Sequence, residues 1–442
     1  MANAAGKPQV VRLGASALDF AVFLVPALQF IQINLIGSLY ASDFVLASLG
    51  IGLFFRRRPI APLNAPIPKK FLLFGSFWLT AQIVTDVVRH TPFHDYARGW
   101  AFIVVTLLTF SVLYILLVER PQRIIVYGWG LVVGTVLSYF FNPFYWAKEY
   151  PWEGGWGLPV TLAVFLLARG EHYRDLWLPT AIGVANVFLG YRSMGAACLF
   201  AAIYLFLKIK WSRDVAWRTS AMKPRFVIST ILVFALGTWG MSIAYKRLAS
   251  SGALGAQAQW KYEFQSKGQF GLLLGGRSEM LLGAMAIYGS PWLGHGSWAK
   301  SREYVAAYQA EMLALGYSPA AFQRGVGTGI GGEENDYLIV AHSHILGAWI
   351  EAGIVGAFFF VWLLTLTVRF LKLLFLAKIP HVSLFVFFAF WVMWNLCFEP
   401  YGGVKRFSIL YFVISLVVYL TLFSKPGPGA ILAPAAPNPG KR

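Results

Sequence analysis

The chain is poor in charge and nearly without cysteine. Of its 442 residues only 13% are Asp, Glu, Lys or Arg, and two are cysteine. Both cysteines, Cys198 and Cys397, fall inside apolar runs, which argues against a disulfide framework or a cysteine–zinc site. Acidic residues are scarcest, 19 against 37 Lys and Arg, for a formal net charge of +18. Such an excess can serve nucleic acid, but here the basic residues sit in short clusters between apolar runs, as cytoplasmic loops of membrane proteins do. No nucleic-acid partner is expected. Met1 to Leu13 is polar and lacks the charged, apolar, small-residue order of a cleaved signal peptide, so the first apolar run reads as an uncleaved anchor.

What the chain has in abundance is apolar length. It is 58% hydrophobic, with a mean hydropathy of +0.61. Apolar runs of about 18 residues or more recur along it, the pattern of an all-α polytopic membrane protein. About twelve transmembrane helices are expected, at 15–36, 37–55, 70–88, 97–118, 124–142, 156–169, 175–191, 193–209, 225–245, 345–371, 381–398 and 404–424. Residues 1–245 thus hold helices 1–9, 246–341 form one large loop, 342–424 hold helices 10–12, and the Pro-, Gly- and Ala-rich 425–442 read as a disordered cytoplasmic tail. Most Lys and Arg fall in alternate loops, which puts both termini in the cytoplasm and the large loop outside. The turn Gly190-Tyr191-Arg192-Ser193 then shares the outer face with that loop.

The large loop is too long to be structureless. Glu279 to Tyr288 reads as a short apolar helix lying on the membrane and Ser301 to Leu315 as a more polar one. Between Gly325 and Gly332 five of eight residues are glycine, which suits a hinged lid.

A few polar residues could carry chemistry. Arg192 stands at a membrane-depth turn, where a guanidinium is either functional or snorkels to head groups. Arg277 opens the first loop helix and could fork onto a phosphate or pair with Glu279. His342 and His344 stand where the loop re-enters the membrane; two apart, they point to different sides, so one of them faces a given site. A histidine there can take a proton from a hydroxyl, and a helix starting there offers N–H groups to an anion. Glu333, Glu334 and Asp336 could ligate Mg or Ca, but a solvated acidic loop is the commoner reading. Asp19 and Asp43, inside early spans, keep a transporter in play as a rival class.

Three stretches together resemble one family. His342-Ser343-His344-Ile-Leu346, with Glu351, Gly353 and Gly356, resembles the His-Asn-x-x-Leu motif of the O-antigen ligase and polymerase superfamily, with Ser343 in place of asparagine. Gly276-Arg277-Ser-Glu279, closing at Ser290-Pro291-Trp-Leu-Gly294-His-Gly296, is similar to its Gly-Arg block, and Arg192-Ser193-x-Gly195 to its Ser-Arg-Gly turn, with Tyr191 for serine. The resemblance implies a metal-independent, inverting glycosyltransferase of the membrane C-type fold, needing no cofactor. Its donor would be a glycan on a polyprenyl (undecaprenyl) diphosphate, and its acceptor a sugar hydroxyl, in the ligase reading that of lipid A-core. Arg192 and Arg277 would bind the diphosphate and His342 would be the base, with Glu279, Ser343, His344 and Glu351 in support. The site would face the periplasm from the bacterial inner membrane. An O-antigen or exopolysaccharide polymerase, or a protein O-oligosaccharyltransferase, would share these motifs.

Overall fold

The computed structural model describes residues 16–34, 37–55, 60–143, 147–168, 170, 172–211, 278–316, 337–402 and 405–424, and 232, 236–237, 239–240, 243–256, 259 and 262–263 in between. Nearly all regular structure is helical. The chain runs α1 (Ala17–Ala27), a hairpin of β1 (Gln32–Asn34) and β2 (Ser38–Tyr40), α2 (Ala41–Phe55), α3 (Pro66–Arg89), α4 (Phe93–Glu119) and α5 (Arg123–Phe141). Then come α6 (Gly157–Leu167), α7 (Trp177–Phe188), α8 (Arg192–Trp211), α9 (Glu279–Gly289), α10 (Arg302–Ala314), α11 (His344–Leu376), α12 (Val382–Phe398) and α13 (Lys405–Ser424).

Caps and prolines cut the apolar runs into helices. Ser16 and Asp19 form a reciprocal capping box at the start of α1. Pro66 and Pro92 stand at the starts of α3 and α4, where a missing N–H costs nothing, and the left-handed His90 (φ 53°) closes α3. Among the described residues six helices are long and apolar enough to cross a bilayer: Pro66–Arg89, Phe93–Glu119, Arg123–Phe141, Arg192–Lys210, His344–Leu376 and Lys405–Phe423. This defines a multi-pass, all-α membrane protein.

The sequence expectation needs correction at its start. The run 15–36 is not one helix: α1 stops at Ala27, one turn of 3-10 helix follows, and the chain then pairs β1 with β2 in antiparallel register, Ile33 opposite Leu39. Pro26 sits in the last turn of α1, where its missing N–H removes the bond back to Val22 and weakens that turn. The expected span 225–245 falls largely outside the described residues, as do the 325–332 glycine run and the tail 425–442. Helices α9 and α10 lie where the loop pattern puts them. α9 does not simply rest on a surface: Leu282 and Ala286 are buried with Tyr308 and Met312 of α10 and Ile350 of α11.

Close helix approach is bought with small residues. On α5, a Cβ at Gly130 would lie 2.2 Å from the Phe23 carbonyl oxygen and one at Gly134 2.0 Å from that of Pro26, so this Gly-x-x-x-Gly face lets α1 in. The aromatic core of α12 and α13 includes a stacked Phe388–Phe412 pair, 4.2 Å between centroids. At the far end of α11, the Lys208 ammonium donates to the carbonyls of Leu374, Phe375 (3.3 Å) and Ala377 (2.8 Å), answering acceptors that a helix end leaves open.

α11 is broken near its start. Gly353 (φ 66°, ψ −167°) interrupts the helix, and the segment Ser290–Trp298 fills the break. In an unbroken helix the Ile354 N–H would bond the Ile350 carbonyl. Here Ile354 N–H donates instead to the Pro291 carbonyl (3.1 Å), and the Ile350 carbonyl accepts from His295 N–H (2.7 Å). Gly296 N–H takes the Glu351 carbonyl (3.0 Å). Only glycine fits at 353, since a Cβ would lie 2.0 Å from the Trp292 carbonyl oxygen; a Cβ at Gly294 (φ 83°) would lie 2.6 Å from Gly353 N. α3 clamps the segment from the other side. Asp86 accepts from Ser297 N–H (2.6 Å), Ser297 Oγ (2.7 Å) and Trp100 Nε1 (2.7 Å), while Arg89 donates to the Gly294 carbonyl (3.0 Å) and Ser290 Oγ (2.6 Å).

Gly353→Ala is therefore expected to lower the melting temperature in detergent sharply, because that backbone conformation alone costs a non-glycine residue about 1–3 kcal/mol and the Cβ has no room. Gly347→Ala on the same helix, where a Cβ meets nothing within 4 Å, should melt at or above wild type. Equal losses in both would show that the segment does not hold the break. His295 supplies a pH signature. Burial, aided by Arg89 and opposed by the hydrogen bond to the Ala286 carbonyl, holds its pKa below the ordinary value. The unfolded chain then binds this proton more readily than the native one, so stability is full above the unfolded pKa and falls as pH drops through it. Melting temperature should decline between about pH 7.5 and 5.5, and less so in His295→Gln; an unchanged decline would remove His295 as its source.

Candidate active site

The residues that enter α11 alternate in direction. Ser343 is extended (φ −166°, ψ 136°) and caps the helix by accepting from Leu346 N–H (3.2 Å), while its own Oγ–H donates to the Leu396 carbonyl of α12 (3.0 Å). The serine thus both starts α11 and ties it to the end of α12. His342, just outside the helix, is partly exposed, and its Nε2 stands 3.7 Å from Glu279 Oε2, at the first residue of α9. His344, the first helical residue, is buried, and its Nδ1 donates to the Glu399 carbonyl (2.5 Å). The two histidines therefore serve different sides of the chain, as their spacing predicts.

Arg192 is the first residue of α8, its guanidinium over the Tyr245 ring at 4.7 Å. The neighbouring Tyr191 packs edge-on against Trp391 of α12 (5.9 Å). Trp391 lies about 7.5 Å along the helix axis from Leu396, the residue that holds Ser343. α12 is thus the element common to the Arg192 turn and the start of α11. Arg277 lies outside the described residues, as do Glu333, Glu334 and Asp336. Glu351 Oε1 accepts the Trp298 N–H (3.1 Å). It supports the filled break rather than touching the imidazole.

A cavity of about 750 Å³ opens beside this junction. Ser343, His344 and Glu351 line it from α11, Tyr40 from the hairpin, Arg98 from α4 and Trp298 from the filling segment. The Arg98 guanidinium lies over the Trp298 ring at 3.8 Å. Its nearest carboxylate, Asp95, is 3.9 Å away and is held closer by Lys300, at 2.9 Å. Sequence reasoning passed over Arg98. The signal was present: a charge in the first turn of an apolar span is the criterion that singled out Arg192.

The early acids are engaged. Asp19 bonds Arg120 (2.7 Å) and Arg123 (2.8 Å), and Asp43 pairs with Arg406. Among the described residues no cluster of three His, Cys, Asp or Glu could hold a metal ion. No protein-family model matches the chain, and no curated protein matches it.

Both ion pairs are buried, so removing one partner strands a charge at a cost of about 3–5 kcal/mol, whereas removing both is far milder. Asp43→Ala should depress the melting temperature strongly, and the double variant Asp43→Ala/Arg406→Met should recover most of it. A double variant as unstable as the single one would mean that Asp43 does more than neutralise Arg406.

Proposed function

We propose that the chain is a glycosyltransferase resembling the O-antigen ligase and polymerase superfamily. In this reading it moves a glycan from a polyprenyl diphosphate to an acceptor hydroxyl at the periplasmic face of the bacterial inner membrane. The observation that carries the proposal is the His342–Glu279 pair at the entry to α11, a partly exposed imidazole with a carboxylate at 3.7 Å. His342 takes the proton from the acceptor hydroxyl, and the carboxylate beside it favours the imidazolium that results. The hydroxyl oxygen attacks the anomeric carbon with inversion and forms the new C–O bond. The bond from that carbon to the diphosphate oxygen breaks, and its electron pair leaves with the diphosphate. Arg192 and Arg277 balance the charge gathering there.

Within the superfamily we favour ligation of O-antigen to lipid A-core, in lipopolysaccharide synthesis, because the large loop is single. About twelve spans, both termini in the cytoplasm, belong to the same reading. The transporter alternative is weakened by the ion pairs of Asp19 and Asp43, which leave those acids structural work to do.

Purified protein incubated with a polyprenyl-diphosphate glycan and lipid A-core should yield the joined product by mass spectrometry. His342→Ala and Arg277→Ala should each abolish it, by a factor of about 100 or more for the base, with membrane insertion intact, while His344→Ala is milder. Activity should survive EDTA. Normal transfer by His342→Ala would remove the base assignment, and loss on chelation with rescue by Mg would redirect attention to Glu333, Glu334 and Asp336.

A further inference from the structure

Two large aromatic rings stand out from the end of α9 and the segment that fills the break. Tyr288 is 91% exposed and Trp292 75%. The backbone beneath the indole is nevertheless fixed. The Pro291 carbonyl accepts from Ile354 N–H (3.1 Å) and Trp349 Nε1 (2.7 Å), and the Leu293 carbonyl from Thr85 Oγ (2.5 Å). The indole is therefore held outward on a rigid base. The neighbouring helices give its depth. On α3, Leu73, Phe77, Val84 and Val88 are exposed, and their spacings put them on one face. Exposed Lys70 and Arg89 bound that stripe, 19 positions apart. On α11 no residue from His344 to Gly353 is exposed. Its stripe opens just past the break, with Ile354, Val355, Phe358 and Val361, and Arg369 and Lys372 close it.

At 1.5 Å per residue the two stripes span about 22–28 Å. With lysine and arginine side chains reaching outward, they match a hydrocarbon core of about 30 Å. Arg89, at the end of one stripe, bonds Ser290 Oγ and the Gly294 carbonyl, and the Trp292 carbonyl abuts Gly353, at the start of the other. Both helices thus set Trp292 at the same level, the edge of the hydrocarbon, where rings with an apolar body and a polar handle are enriched. A leaflet covers the rings and both stripes as one surface, whereas a protein partner on the rings leaves the stripes unexplained. From this level α9 leads back to Glu279 and the first part of α11 back to His342, about 14–15 Å along either helix. We propose that Tyr288 and Trp292 anchor the filling segment in the headgroup layer of one bilayer leaflet. α9 then rises from the membrane instead of lying on it, and carries the His342–Glu279 pair up to about 14 Å above the hydrocarbon. The anchor does not depend on the reaction performed at that pair.

Spin labels on single cysteines test this in phospholipid nanodiscs, with Cys198 and Cys397 replaced by alanine. Collisions with oxygen, which concentrates in lipid, and with a nickel chelate, which stays in water, report the depth of each label. A label at Phe358→Cys should lie in the hydrocarbon, and labels at Tyr288→Cys and Trp292→Cys within about 8 Å of the lipid phosphates. Ala284 is exposed one turn before Tyr288, and a label at Ala284→Cys should sit about 6 Å nearer to water. Equal depth at 284 and 288 would lay α9 flat. Full nickel access at 292 would leave the rings in solvent, and shielding of 288 and 292 from both reagents would mark a protein partner or a second copy. Each of these results overturns the proposal. Labelling replaces the rings, so a second measurement compares the unlabelled wild type with Tyr288→Ser/Trp292→Ser. Amide exchange of α9 in nanodiscs should be at least threefold faster in the double variant, with α12 unchanged. No change in α9, or an equal rise in α12, overturns the anchoring role.

Discussion

The break at Gly353 is the constraint from which the rest of this end of the molecule follows. A membrane helix must satisfy every backbone group internally or find a substitute. α11 opens its ladder between Ile350 and Ile354, and the segment Ser290–Trp298 supplies the missing donor and acceptor one for one. A loop segment is thereby made part of the helix that follows it. α9 and α10 are brought against α11 as a consequence, and Glu279 arrives beside His342. The glycines of the Pro-x-x-Gly-x-Gly stretch thus have a steric reason independent of any substrate.

That arrangement divides the entry to α11 into two sides. His342 looks toward α9, and Ser343 and His344 toward α12 and the cavity. Ser343 occupies the point between them and ties backbone to backbone: its oxygen caps one helix while its hydrogen closes the end of another. An asparagine there could cap as well, so the departure at this position keeps the capping function.

Charge within the bundle is held by ion pairs and by aromatic rings. Asp19 and Asp43 neutralise arginines at opposite ends of the sequence, Arg120 and Arg123 on one side and Arg406 on the other. These pairs link α1 to the α4–α5 turn and α2 to α13. Arg98 and Arg192 also stack their guanidinium groups on aromatic rings, Trp298 and Tyr245.

The sequence by itself determined the class of fold, because apolar length and cap residues act locally: Ser16, Pro66, Pro92 and Ser343 start helices wherever the chain runs. It also determined that His342 and His344 part company, since neighbouring backbone directions need no partner. It misjudged 15–36, where hydropathy cannot distinguish a helix from the β1–β2 hairpin, whose Tyr40 packs edge-on against Phe407. The resemblance gave Glu351 a supporting part, and in the fold its carboxylate accepts the Trp298 N–H beside the break at Gly353. Only the tertiary structure decided that Glu279 is the neighbour of His342 and that Arg98 and His344 flank one cavity. Those contacts join residues 63 or more positions apart, and no local pattern encodes which distant side chain will fill the gap that a broken helix leaves.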